Sequence, residues 1–262
     1  MPSETDPAQP QARAAAPLVR TVGDRRTLEF VPGDVQSEML LSRPDALVLD
    51  YARAMMCFAL FVPAPRHILM VGLGGGSLVK FCHRHFPQER ITVLEISAEV
   101  IALREQFLVP PDDARLRIIH ADAAGFIAAA PASCDVILLD GFDAAGMPPA
   151  LGSAAFYGAC RRALRDGGVL VANLLSYDPH YAALRTRIGA AFDGRVCQFE
   201  GIAGNNHILF ALRAPPGPAP GTPLAGAVRR HARMARRGGL GFGWLNRLCA
   251  HAVVAWLARR PV

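Results

Sequence analysis

The sequence predicts an α/β fold: a doubly wound, mostly parallel sheet with a reversed edge strand, preceded by a small N-terminal β element. Three observations carry that expectation. From Arg66 onward, short apolar runs alternate with helical patterns, the βαβ repetition that puts helices on both faces of a parallel sheet. The first run, His67 to Val71, breaks into Gly72-Leu73-Gly74-Gly75-Gly76, a glycine-rich passage from strand to helix. The last two runs, around Val196–Phe199 and His207–Leu212, are too close in sequence to hold a crossover helix and so pair antiparallel.

Residues 1–24 read as a flexible leader, and Met1 to Leu18 lack the apolar centre of a secretory signal. Residues 25–65 read as the small β element with a linking helix. Thr27–Val31 and Val35–Leu41 are strands joined by Pro32-Gly33-Asp34. Leu47–Leu49 adds a short strand, and Asp50 caps a helix from Tyr51 to Phe61 that Pro63 and Pro65 close. The main domain spans 66–213. Its strands are expected at Ile68–Val71, Ile91–Ile96, Leu116–Ile119, Val136–Leu139 and, after a Gly167-Gly168 turn, Val169–Leu174. Helices are expected from Ser77, from Ser97 to Phe107, from Ala123, from Ser153 to Leu164 and from Tyr181 to Phe192. Residues 214–262 form a Pro/Gly linker, Pro215 to Gly221, and a basic amphipathic tail.

Composition narrows the function classes. With 52% hydrophobic and 19% charged residues, the chain is not wholly disordered, and 262 residues can bury a sizeable core. The six cysteines form no C-x-x-C pair and have no histidine at metal-ligand spacing. They read as reduced thiols in the cytoplasm, with no metal site. The net charge of +6 is unevenly placed: residues 215–262 hold eight arginines and no acid, which leaves −2 on the first 214. In the tail, Arg229, Arg230, Arg233, Arg236 and Arg237 precede an apolar stripe through Trp244, Leu248, Val253 and Leu257. Such a segment suits a membrane surface, a partner protein, or docking against its own body. It is too short and interrupted to span a membrane. Its aromatic residues line the stripe and do not interleave with the arginines, so nucleic acid is not expected.

Ligands of open α/β sheets sit outside the carboxyl ends of the strands, which here are Gly72, Glu95, Asp122 and Asp140. A glycine turn followed about 20 residues later by an acid points to a nucleoside, its ribose held by Glu95. Ser77 stands where a dinucleotide fingerprint has Gly or Ala, which disfavours NAD. With no phosphate to cradle, Gly74-Gly75-Gly76 suits a sulfonium nucleoside, although such a turn also serves tight strand-to-helix packing. Asp122 doubles as a candidate helix cap. Asp140-Gly141-Phe142-Asp143 sets two carboxylates three residues apart. Transfer from a sulfonium to an amine needs the amine unprotonated, so Asp140 fits a proton acceptor. Asp143 fits the partner of a remote ammonium, or an aspartate that solvates its loop.

From about Leu28 to Leu212 these residues resemble the spermidine synthase family of polyamine aminopropyltransferases, in particular its divergent bacterial spermidine-synthase-like branch. The likeness rests on Val35-Gln36-Ser37, Tyr51, the glycine turn, Leu94-Glu95-Ile96, Asp122-Ala123, the run Asp135 to Asp140, and Phe156-Tyr157 before Gly167-Gly168. It implies a class I methyltransferase-like (Rossmann-like) fold, a homodimer or larger assembly, decarboxylated S-adenosylmethionine as co-substrate, and a small-molecule amine such as putrescine as acceptor. It further implies Asp140 as proton acceptor, Asp143 as amine-binding acid, Glu95 as ribose ligand, Asp122 and Ala123 as adenine contacts, and Gln36 as a nucleoside contact. Gly72, Gly74, Gly75 and Gly76 are then the cofactor-binding turn. The chain departs from the family at Tyr51-Ala52-Arg53, where the family has Tyr-His-Glu, and at Cys57, where it has a histidine. The turn also lacks the family's aspartate, which contacts the aminopropyl amine and repels the carboxylate of ordinary S-adenosylmethionine. Two further readings stay open: an S-adenosylmethionine-dependent methyltransferase, and a non-catalytic nucleoside-binding module. The retained pair Asp140 and Asp143 weighs against the second of these.

Overall fold

The N-terminal strands β1 (Leu18–Val22), β2 (Arg25–Glu29) and β3 (Val35–Leu40) form an antiparallel sheet in the order β1-β2-β3. In the computed structural model, which describes residues 16–142, 146–214 and 243–259, β1 falls inside the stretch expected to be leader. The hairpin turns at Gly23-Asp24 with Gly23 at φ +57°, a conformation glycine adopts without a Cβ clash. Mostly exposed, β1 shows little apolar alternation, so sequence pattern alone does not mark it.

The strand expected at Leu47–Leu49 does not form. Helix α1 (Asp50–Met55) has Leu49 at its cap position, and Asp50, expected as the cap, is the first helical residue and accepts a hydrogen bond from Arg53. A 3₁₀ turn, Met56–Leu60, continues α1 and is buried throughout, which suits a segment apolar on all sides.

The main sheet contains β4 (His67–Val71), β5 (Arg90–Glu95), β6 (Leu116–His120), β7 (Cys134–Leu139), β8 (Leu164–Leu175), β9 (Val196–Ala203) and β10 (Asn206–Leu212). Their order is β6-β5-β4-β7-β8-β10-β9. Strands β4 to β8 are parallel; β10 runs antiparallel to both β8 and β9. The reversal therefore lies one strand in from the edge, and β9 completes the sheet. The Gly167-Gly168 turn is absorbed into β8, where Gly167 takes φ +81° and the register with β7 shifts, as at a bulge.

Helices α2 (Ser77–His85), α3 (Ala98–Ala102), α4 (Ala123–Ala129), α5 (Ala154–Ala163) and α6 (Tyr181–Ala191) follow their strands. Helix α3 stops short of the expected Phe107, and Leu108 takes φ +53°. Alternate strand residues feed two cores, because both faces of the sheet are covered. Ile68, Met70, Leu138 and Val171 face α1 and α2, while Leu69, Val71, Ile137 and Leu170 face α4, α5 and α6.

A C-terminal helix, α7 (Gly243–Ala258), packs on β9, α1 and the 3₁₀ turn. Val253 and Leu257 of its apolar stripe are buried in the first core together with Ala250, whereas Leu248 and Trp256 stay exposed. The linker from Pro215 and the arginine cluster Arg229–Arg237 lie outside the described residues. No described helix is long and apolar enough to cross a membrane.

Candidate active site

A cleft of about 730 Å³ opens at the carboxyl ends of β4, β5, β7 and β8, where the strand order reverses between β4 and β7. Gly72 ends β4 at φ +95°, and a Cβ there would lie 2.3 Å from the Asp140 carbonyl oxygen. Only glycine lets these two strand ends approach so closely. The same junction is tied by Asp140 N–H donating to Val71 O (3.0 Å) and Gly72 N–H donating to Leu94 O (2.9 Å). Gly74, at φ +50°, also lines the cleft.

Gly75 and Gly76 do not belong to that lining. A Cβ on Gly75 would meet Ser37 Oγ at 2.7 Å and Phe107 at 2.8 Å; one on Gly76 would meet Val109 at 2.3 Å. These two glycines let the turn pack under the small sheet and the segment after α3.

Glu95 is buried at the end of β5 and lines the cleft. Its Oε2 accepts from Leu73 N–H and its Oε1 from Ser97 N–H, both at 2.8 Å. Each oxygen keeps a second lone pair, so the carboxylate can fix the glycine turn and still accept ligand hydroxyls. Asp122 caps α4 by accepting from Ala124 and Gly125 N–H at 3.1 Å, and both it and Ala123 line the cleft. Gln36, on β3, reaches the cleft while its Nε2 donates to Asp34 (2.9 Å). Asp143 lies outside the described residues.

Asp140 follows β7. Burial pushes its carboxyl above the usual carboxylate range, against the opposing pull of hydrogen bonds from Asn173 and Tyr51. Asn173 Nδ2 donates to Asp140 Oδ1 at 2.9 Å, and Asn173 Oδ1 in turn accepts from Asn206 Nδ2 at 3.0 Å. The Tyr51 hydroxyl is driven well above its ordinary range by burial and by the Asp140 charge, so it stays neutral, and it donates to Gln36 O at 3.3 Å. The sequence reading assigned no role to Asn173 or Asn206. Asn173 did leave a signal: it is a single amide inside the apolar run Val169 to Leu175, and a buried amide needs partners.

Asp50 also lines the cleft, where its Oδ2 pairs with Arg247 Nη2 of α7 at 3.2 Å, while Oδ1 pairs with Arg53. Asp34, Asp50, Glu95, Asp122 and Asp140 make the lining acidic; Arg247 is its only Arg or Lys among the described residues. An acidic cleft with a half-buried carboxylate of raised basicity suits a cationic ligand that must give up a proton. No group of three or more His, Cys, Asp or Glu side chains among the described residues could hold a metal ion.

Residues 49–182 match the family model for the spermine/spermidine synthase domain. The chain is 38% identical over 196 residues, 74% of each sequence, to a polyamine aminopropyltransferase of Neisseria meningitidis. It is 36% identical over 229 residues, 86% of each, to a polyamine aminopropyltransferase of Chromobacterium violaceum. Its fold is similar to the crystal structure of a probable spermidine synthase from Corynebacterium glutamicum, with a TM-score of 0.67 at 24% identity over 82% of each chain.

Proposed function

Because this chain belongs to the spermine/spermidine synthase family, we propose that it moves an aminopropyl group from decarboxylated S-adenosylmethionine to a diamine such as putrescine, releasing methylthioadenosine. The observation that carries this reading is Asp140: a half-buried carboxylate of raised basicity, held by Asn173 and lying beside Tyr51 and the Gly72 junction. The donor supplies an electrophilic carbon attached to a sulfonium leaving group. Gly72, Gly74, Glu95, Asp122, Ala123 and Gln36 hold its nucleoside. Asp140 orients the acceptor nitrogen and takes its proton as the new C–N bond forms and the C–S bond breaks. Asp143 pairs with the acceptor's second ammonium. The same reading places the reaction in the cytoplasm, carried by a homodimer or larger assembly.

The test is turnover. Purified protein with decarboxylated S-adenosylmethionine and putrescine is expected to release methylthioadenosine, detected by mass spectrometry. Asp140→Asn lowers kcat by about 10²–10⁴-fold, the usual worth of a positioned proton acceptor, while calorimetric donor affinity survives. Normal turnover by Asp140→Asn removes the base assignment. Formation of S-adenosylhomocysteine from ordinary S-adenosylmethionine, with no methylthioadenosine, replaces the reaction by methyl transfer.

A further inference from the structure

Helix α7 joins the body from beyond a Pro/Gly-rich stretch and anchors through Ala250, Val253 and Leu257. That docking carries Arg247 to the wall of the cleft, where its guanidinium meets Asp50. Asp50 is the chain neighbour of Tyr51, which lies beside Asp140 and whose hydroxyl donates to Gln36 O at 3.3 Å. One short segment thus sets a second carboxylate in the same cleft as the reacting group. Its two oxygens are taken by cations of this chain, Oδ1 by Arg53 and Oδ2 by Arg247, with His251 Nε2 3.9 Å from Oδ1.

We propose that Arg247 is a specificity-determining residue that limits the acceptor to short diamines, by occupying the carboxylate that the far ammonium of a longer polyamine would otherwise reach. This rests on the acceptor being an amine, as proposed above. Along an acidic cleft each added ammonium of a linear polyamine would be favoured, and a triamine would outcompete a diamine. The guanidinium on Asp50 reverses that gradient at one point. A third ammonium arriving there meets a like charge, and Oδ2 of the carboxylate is already engaged. The tail is then a structural part of the acceptor site, contributing a charge that α1 and the sheet do not supply.

The experiment compares wild type, Arg247→Gln, Arg247→Lys and the double variant Asp50→Asn/Arg247→Gln. Each is assayed for methylthioadenosine release with putrescine and with spermidine, and titrated calorimetrically with both amines. Arg247→Gln is expected to raise the spermidine-to-putrescine ratio at least tenfold, in kcat/KM and in binding. Arg247→Lys keeps the wild-type ratio, which separates charge from helix docking, and the gain vanishes in the double variant. A ratio within twofold of wild type in Arg247→Gln overturns the proposal, as does a gain that persists without the Asp50 carboxylate or appears equally in Arg247→Lys. Absence of turnover with every amine in wild type overturns the aminopropyl reaction instead, and the binding ratios still decide the role of Arg247.

Discussion

At one end of the cleft, Glu95 is held by the amides of Leu73 and Ser97, and Asp122 by the amides of the helix it begins. At the other end, Asp140 is held by the side chain of Asn173 beside Tyr51, Asn173 by that of Asn206, and Asp50 by those of Arg53 and Arg247. The first end is made of backbone donors and the conformations that present them. The second is made of side chains drawn from α1, β8, β10 and α7. Backbone donors cannot be substituted away, so the first end suits the invariant part of a reaction. Side chains can change one at a time, so the second end is where specificity can shift without disturbing the fold.

The largest expected effect tests the backbone-built end. Gly72→Ala adds a Cβ 2.3 Å from the Asp140 carbonyl oxygen at a φ of +95°. Strain and overpacking together are expected to cost about 2–4 kcal/mol, lowering Tm by roughly 10 °C in calorimetry. An unchanged Tm would mean that the β4–β7 junction yields easily, and the contrast between the two ends would collapse.

Next in size is Lys80, the only lysine of the chain, on α2 just behind the glycine turn. It is buried, with Nζ donating to Phe107 O at 2.7 Å and to Met39 Sδ at 3.0 Å, and burial brings its pKa down to about 8. The unfolded chain binds this proton up to its ordinary pKa of 10.5, whereas the folded chain releases it above about 8. Stability therefore rises with pH across that window. Relative to Lys80→Met, the wild type should gain on the order of 3 kcal/mol between the two limits in urea titrations. Parallel curves for the two proteins would show that the site hydrates freely.

Asn173→Ala sharpens the side-chain-built end. The amide holds the Asp140 carboxyl down against the upward push of burial, so its loss lets that group rise further. The base must be ionised, and the acid limb of kcat against pH should move to higher pH, with a several-fold deficit that shrinks as pH rises. A uniform loss at every pH would assign Asn173 to packing.

The smallest effect concerns α7. The thiol of Cys57 hydrogen-bonds Cys249 and brings its pKa to about 7, whereas burial pushes Cys57, Cys82, Cys134 and Cys160 upward. Peptide mapping after brief iodoacetamide treatment at pH 7.5 should find Cys249 modified first among these. Equal labelling of Cys57 would indicate that the helix lifts away from the body.

The backbone-built end of the cleft was largely legible because its cues are local. Glycines at a strand end, an acid closing the next strand and an aspartate opening a helix can each be read within a few residues. Even there, the sequence could not divide the turn into Gly72 and Gly74, which line the cleft, and Gly75 and Gly76, which make room for Ser37, Phe107 and Val109. Those neighbours come from β3 and from the chain after α3, so pattern within the turn carries no trace of them. β1 was missed for a related reason: a solvent-facing strand is recognised by its partner and not by its own periodicity.

The sequence by itself determined the alternation of strands and helices, the parallel sheet and the placing of Gly72, Glu95, Asp122 and Asp140 at strand ends, since apolar period and turn chemistry are properties of neighbouring residues. Only the tertiary structure decided that Asn173, Asn206 and Tyr51 bear on Asp140, and that a helix some 200 residues after Asp50 sets Arg247 against it. Contacts between distant segments depend on how whole elements pack, and burial alone turns an ordinary aspartate into one of raised basicity.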